Sequence, residues 1–332
     1  MAHFTVYSSG DAGGPGLMAG AAGDLIRILN AVLVNGYAGK AAAGWSQPVA
    51  TAGNIACYKN ASPANGGNGF GVVINDNGPN VTSTYKEAWA TGWEAVAGVG
   101  SPVGSGTGQF PTAAQLLTTG HVVVRKSVAA SAVGRSWICF ADSLTFYLEI
   151  ASGDAAGVYF PLWFGDFFSM GGAGDDYRCM ILGRPGENSA AAASDDIIYP
   201  WNVVLANALG LFVPRAYGGG GSSVQMLKKG SEAMLALPIG ANGSAAIGAL
   251  QTPNGADGSY YLPPIWLGHP VINQLRGRFR GVYMSGHPLA TFADGQVIAG
   301  AGDYAGKTLQ AVSKTVTLAM WFFETSNTVE TN

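Results

Sequence analysis

Charge is scarce in this sequence. Of 332 residues only 11% are Asp, Glu, Lys or Arg, where an ordinary soluble protein carries about 25%. A coiled coil or long helical bundle is excluded, because such folds need charged flanking positions and few glycines. No basic excess exists either: 17 Lys and Arg stand against 20 Asp and Glu, for a net charge of −3. Duplex-binding proteins cluster cations to displace counterions, so no nucleic-acid partner is expected. The densest basic stretch, Arg276, Arg278 and Arg280, has an alternate spacing that reads as the outer face of one strand.

Long hydrophobic runs are missing as well. The best membrane candidate, residues 197–214, is broken by Pro200, Asn202, Asn207 and Gly210, whereas a spanning helix runs about 20 apolar residues. Buried strands joined by a turn are expected there, and no membrane partner. Residues 1–5 show neither a basic nor an apolar leader pattern, so no secretory signal is expected. Cysteine is nearly absent: Cys57, Cys139 and Cys179 sit in apolar settings without a C-x-x-C spacing. Reduced cysteines packed in strands are expected, with an intermolecular disulfide as the alternative that an odd count leaves open.

What is abundant is glycine, 50 residues, and aromatic surface, with 14 Phe, 13 Tyr and 8 Trp. That apolar area excludes bulk disorder, and the absence of a three-residue glycine period excludes collagen. The expected fold is mostly β, with sandwich- or barrel-like sheets, Gly-rich loops and one short N-terminal amphipathic helix. The helix is expected over about residues 23–34, where Leu25, Ile26, Leu29, Val32 and Leu33 form one apolar stripe. Asp24 suits its first turn and Asn35-Gly36 an αL stop.

Beyond the helix the period shortens to two. Strands are expected at residues 70–76, 121–127, 136–142, 145–151, 159–170 and 177–183, and further at 224–228, 234–239, 265–267, 277–284 and 316–323. The tight Ser143-Leu144 link makes the third and fourth a hairpin. Residues 171–176 read as a loop. The polar, low-complexity residues 185–196 are the expected linker between an N-terminal β domain at 1–184 and a second β module at 197–332. Residues 218–223, Gly-Gly-Gly-Gly-Ser-Ser, form an expected tip. No internal repeat of solenoid or propeller length is evident.

The sequence carries no recognisable catalytic constellation. Residues 300–308 approach a phosphate loop, but counting back from Gly306 the required first glycine falls on Ala301; a Gly-rich hairpin turn is expected instead. His269 and His287 precede proline in turns, His121 starts a strand, and Gly104-Ser105-Gly106 reads as a flexible tip rather than a nucleophile elbow. Adjacent acids at Asp175-Asp176 and Asp195-Asp196 point apart in extended chain and make a poor metal cage. Asp166 would complete a site with Asp175 and Asp176 only if the intervening loop folded back. The dense aromatic segment at residues 159–168, including Trp163, divides between core and a sugar- or protein-binding platform. The sequons at Asn60, Asn80 and Asn242 carry little weight without a leader. No catalytic, cofactor-binding or metal-binding residue is expected.

Ordered phrases across roughly residues 5–185 carry a resemblance. They include Tyr7-Ser8-Ser9-Gly10-Asp11-Ala12-Gly13-Gly14-Pro15-Gly16-Leu17, Leu33-Val34-Asn35-Gly36-Tyr37, Gly108-Gln109-Phe110-Pro111-Thr112, His121-Val122-Val123-Val124-Arg125-Lys126-Ser127, Phe164-Gly165-Asp166-Phe167-Phe168-Ser169 and Tyr177-Arg178-Cys179. In these the chain resembles a family of virion structural proteins of tailed bacteriophages. The resemblance implies a structural role without an assigned reaction, on the neck or collar, the tail exterior or the head surface, after assembly in the host cytoplasm. Self-association as a trimer or ring and contacts with other virion proteins are the expected partners. The alternatives are a receptor- or glycan-binding module, using the aromatic segment or the tip at 218–223, and a polysaccharide-degrading enzyme of tailspike type.

Overall fold

A computed structural model describes residues 4–77, 86–116, 119–127, 133–151, 159–184, 210–216, 218–229, 262–269, 274–285, 292–314 and 319–325. Of these, 46% are strand and 9% helical, arranged in three antiparallel sheets with one short helix. The mostly β expectation holds. The expected linker at 185–196, the strand at 234–239, His3, His287, Asp195, Asp196, Asn80 and Asn242 lie outside the described residues.

The first sheet runs in the order β1 (Thr5–Ser8), β7 (Trp137–Ala141), β8 (Thr145–Ile150), β9 (Phe160–Asp166), β11 (Cys179–Leu182), β12 (Leu211–Val213) and β13 (Val224–Gln225). A second sheet orders β14 (Leu227–Lys229), β15 (Pro264–Gly268), β16 (Leu275–Ser285), β19 (Ala319–Glu324), β18 (Thr308–Lys314) and β17 (Val297–Ala299), with β10 (Phe168–Ser169) also paired to β16. The third orders β2 (Ile55–Lys59), β3 (Gly71–Asn75), β4 (Lys86–Gly98) and β5 (Ser105–Phe110), with β6 (Val122–Ser127) on the first half of β4.

The first sheet is the middle layer, and its side chains show why. On β8, Phe146, Leu148 and Ile150 join a core with the third sheet and the helix, while Tyr147 joins a second core with the second sheet. Neighbouring strands repeat the split: Leu162 and Phe164 against Trp163 on β9, Cys179 and Ile181 against Met180 and Leu182 on β11. Strands buried on both faces read as near-continuous apolar runs, because neither face meets water. The expected hairpin at 136–151 is present, with Phe140 opposite Tyr147 and Ala141 opposite Phe146.

The expected helix is α-helical over Asp24–Leu29 and continues as a π-helical turn over Asn30–Asn35. The Val32 and Leu33 carbonyls accept from the Ala43 and Trp45 N–H groups, outside the helix, and the looser turn accommodates that diversion. Gly36 ends it at φ 68° but with an extended ψ of −178°, not the αL conformation expected. A Cβ there would stand 2.7 Å from the Lys40 carbonyl oxygen. The expected flexible tip at 104–106 is also corrected: Ser105 opens β5 and Gly106 lies opposite Val96 of β4. Residues 300–307 do form the Gly-rich turn of the β17–β18 hairpin, closed by Gly300 N–H to the Lys307 carbonyl.

Candidate functional site

The strand that carries Arg276, Arg278 and Arg280 was expected to face outward, yet Arg276 and Arg280 are buried and only Arg278 is partly exposed. The reason is chain return. β10 lays Phe168 opposite Arg278, and the loop after it carries Asp175 beneath Arg276. The Arg276 guanidinium takes both Asp175 oxygens, one of them at 2.9 Å, and donates to the Ser169 hydroxyl at 3.0 Å. Burial alone would raise the Asp175 carboxyl; Arg276 and Ser169 overcome it and hold the group below the usual carboxylate range. Arg280 holds Asp142, in the β7–β8 turn, at 2.8 and 3.0 Å.

Asp166, at the end of β9, stands close to this cluster without completing an acid site. Its Oδ1 accepts from Asn60 at 2.7 Å, and its Oδ2 lies 3.5 Å from Arg178 Nε. Burial pushes its carboxyl up to about 7, against the pull of Arg178 and Arg280. Asp176 is exposed, whereas Asp175 is buried against Arg276. Among the described residues no group of three or more His, Cys, Asp or Glu is placed to hold a metal ion. The loop does fold back, but each acid it brings inward meets an arginine.

Elsewhere the pattern repeats. Glu87 on β4 accepts from Arg125 Nε and Nη2 at 3.1 and 2.7 Å and from Arg184 Nη1 at 3.1 Å, all three side chains being buried. Lys126 meets Asp76, and Lys307 meets Glu324 at 2.8 Å. Among the described residues, six acids (Asp76, Glu87, Glu149, Asp166, Asp175, Glu324) and six bases (Arg125, Lys126, Arg135, Arg184, Arg276, Arg280) are buried. Within the described residues an already small set of charges is thereby drawn inward in equal numbers.

The segment at 159–168 is core: every residue of β9 is buried, and Trp163 is enclosed by Tyr147, Phe279, Trp321 and Phe323. Of its aromatic side chains only Tyr159 and Phe168, at the two ends, are half-buried. His121 is buried, stacked 4.1 Å from Trp89, with Nδ1 2.5 Å from the Thr119 hydroxyl; desolvation lowers its pKa to about 4. His269 is half-buried in its turn. Asn60 is buried against Asp166 and the Leu144 carbonyl. Cys57, Cys139 and Cys179 are free and buried, as expected. The tip at 218–223 is exposed except at Gly219, which is half-buried, and Ser223, which is buried. It is propped by Arg215, which grips Glu94 at 2.6 and 2.8 Å and lies over the Tyr177 ring.

Several large apolar side chains stand on the outside. Leu17 is 53% and Val133 52% exposed, and Gly134 lies against Leu17. Met170 and Leu275, 59% and 46% exposed, sit at one end of the β10–β16 ladder, and Val297, 60% exposed, lies on the edge strand β17. Beside the helix a shallow depression of about 430 Å³ is lined by Gly23, Ile26, Arg27, Asn30, Ala31, Asn35 and Gly36. Among the described residues no helix is long and apolar enough to cross a membrane. No protein-family model matches this chain, and no curated protein is significantly similar to it.

Proposed function

We propose that this chain is a structural subunit of a tailed-bacteriophage particle that self-associates, as a trimer or ring, on the neck, collar or tail exterior. The observation that carries the reading is the inward pairing of charge: among the described residues, six acids and six bases are buried, in a chain only 11% charged. A surface so depleted, with Leu17, Val133, Met170, Leu275 and Val297 standing out of it, gains by covering itself with neighbours. The phrases across residues 5–185 that resemble virion structural proteins point the same way. Light scattering on the eluting protein during size exclusion tests it. A defined oligomer is expected; a monomer that stays monomeric at high concentration and low salt would sink the proposal.

The glycan-binding alternative loses its aromatic platform with Trp163 buried and is left with the tip at residues 218–223. Retention on host glycans that disappears when residues 218–221 are deleted would favour it over assembly.

A further inference from the structure

Two reactive side chains meet in the interior. Lys126 on β6 and Asp76, just after β3, stand with Nζ 2.5 Å from Oδ1, and both side chains are 0% exposed. The Lys40–Asp11 and Lys307–Glu324 pairs both leave the lysine partly in contact with solvent. The remaining hydrogen bonds of the pair have a particular arrangement. Asp76 Oδ2 accepts from the Leu25 N–H at 2.7 Å, and the Ile26 N–H also bonds this carboxylate. Lys126 Nζ donates to the Ala21 carbonyl at 2.7 Å.

We propose that Lys126 and Asp76 join in an intramolecular isopeptide bond between Nζ and Cγ, formed as the chain folds and releasing one water. A proton first passes from the ammonium to the carboxylate, giving the neutral amine and acid that a dry interior favours. The Nζ lone pair attacks Cγ, and the carbonyl electron pair moves onto Oδ2, where the Leu25 N–H holds the oxyanion. A proton leaves Nζ for the Oδ1 hydroxyl, the Cγ–Oδ1 bond breaks, and water departs. Acid and amine become amide and water, so neither oxidant nor co-reactant enters.

The product fits the same surroundings. Oδ2 becomes the amide oxygen and keeps the Leu25 N–H, while the single remaining N–H keeps the Ala21 carbonyl. Burial has already raised the Asp76 carboxyl to about 6 despite Lys126 beside it, which brings the acid form within reach. Fixing nucleophile and electrophile in contact removes the entropic barrier of a bimolecular step, and the enclosed site keeps out the water that would reverse it. The bond would join β3 to β6 across 50 residues of chain and anchor the start of the helix to the third sheet.

Intact mass spectrometry of the reduced full-length protein tests this directly. The expected mass is that of the sequence less one water. In a tryptic digest the bond to Lys126 blocks cleavage after it, and peptide 126–135 is expected joined to peptide 60–86. Lys126→Arg keeps a cation there but makes no amide, and its mass should be that of its full sequence. A wild-type protein at full sequence mass, with peptide 127–135 released free, overturns the proposal. So does a one-water deficit that survives in Lys126→Arg. If that variant fails to fold, the wild-type mass and the joined peptide decide alone.

Discussion

Replacing Trp163 with alanine separates a packed core from a binding platform. The indole is fully buried, with ring centroids 4.5 Å from Tyr147, 5.1 Å from Phe279 and 5.9 Å from Phe323. Removing a buried tryptophan costs about 3–5 kcal/mol through lost transfer energy and the cavity left behind. The indole N–H also donates to Glu149 Oε1 at 3.1 Å inside the protein, and withdrawing a donor from a buried carboxylate adds about 1.5–3 kcal/mol. Against a total stability of about 5–15 kcal/mol, Trp163→Ala is expected to lose a third or more of it. Trp163→Phe keeps most of the packing and isolates the hydrogen bond, with a loss of about 2–3 kcal/mol. Guanidinium unfolding followed by circular dichroism, at one protein concentration for all variants, reads both. A Trp163→Ala protein within about 1 kcal/mol of wild type would show that the side chain is not enclosed, and the core assignment of residues 159–168 would fall with it.

Glu87→Gln leaves Arg125 and Arg184 facing a neutral amide in the interior and is expected to cost about 3–5 kcal/mol in the same assay; a neutral result would mean that water reaches the pair. His121 binds its proton less readily folded, at about 4, than unfolded, at about 6.5. Its contribution is therefore full above pH 6.5 and lost as pH falls towards 4, about 3 kcal/mol in all. His121→Phe, which keeps the stack on Trp89, should flatten stability between pH 6.5 and 4 relative to wild type; an unchanged slope refutes the assignment. Burial pushes the Cys57 thiol up to about 12 and raises Cys139 and Cys179 as well, so native protein should resist a thiol reagent at pH 8 and react at three sites once denatured. Rapid native labelling would contradict their burial.

Some elements could be read from the chain because their signal is local. The 136–151 hairpin shows in a short link between two apolar stretches, and the helix in its stripe of Leu25, Ile26, Leu29, Val32 and Leu33. The longest strand, β4 over Lys86–Gly98, escaped that reading. Its inward positions include Ala88, Ala90 and Gly92, and the bulk above Gly92 is supplied by the Phe110 ring of the neighbouring strand. A strand that borrows its apolar volume from a partner has no hydrophobic period of its own. The short edge strands β1 and β17 were missed for a related reason: three or four residues are too few to carry a period.

The mostly β class, the place of the helix and the scarcity of charge are properties of composition or of neighbours along the chain, and so were legible before any fold was known. Where the charge went depends on contacts between residues far apart in the chain. Arg276 pairs with Asp175 over a separation of 101 residues, Arg184 with Glu87 over 97, and Arg280 with Asp142 over 138. An alternating row of arginines looks solvated on its own strand and is buried once distant carboxylates fold over it. A charge can leave water only where its counter-charge arrives with it, and that meeting is fixed by how the sheets stack rather than by residue spacing.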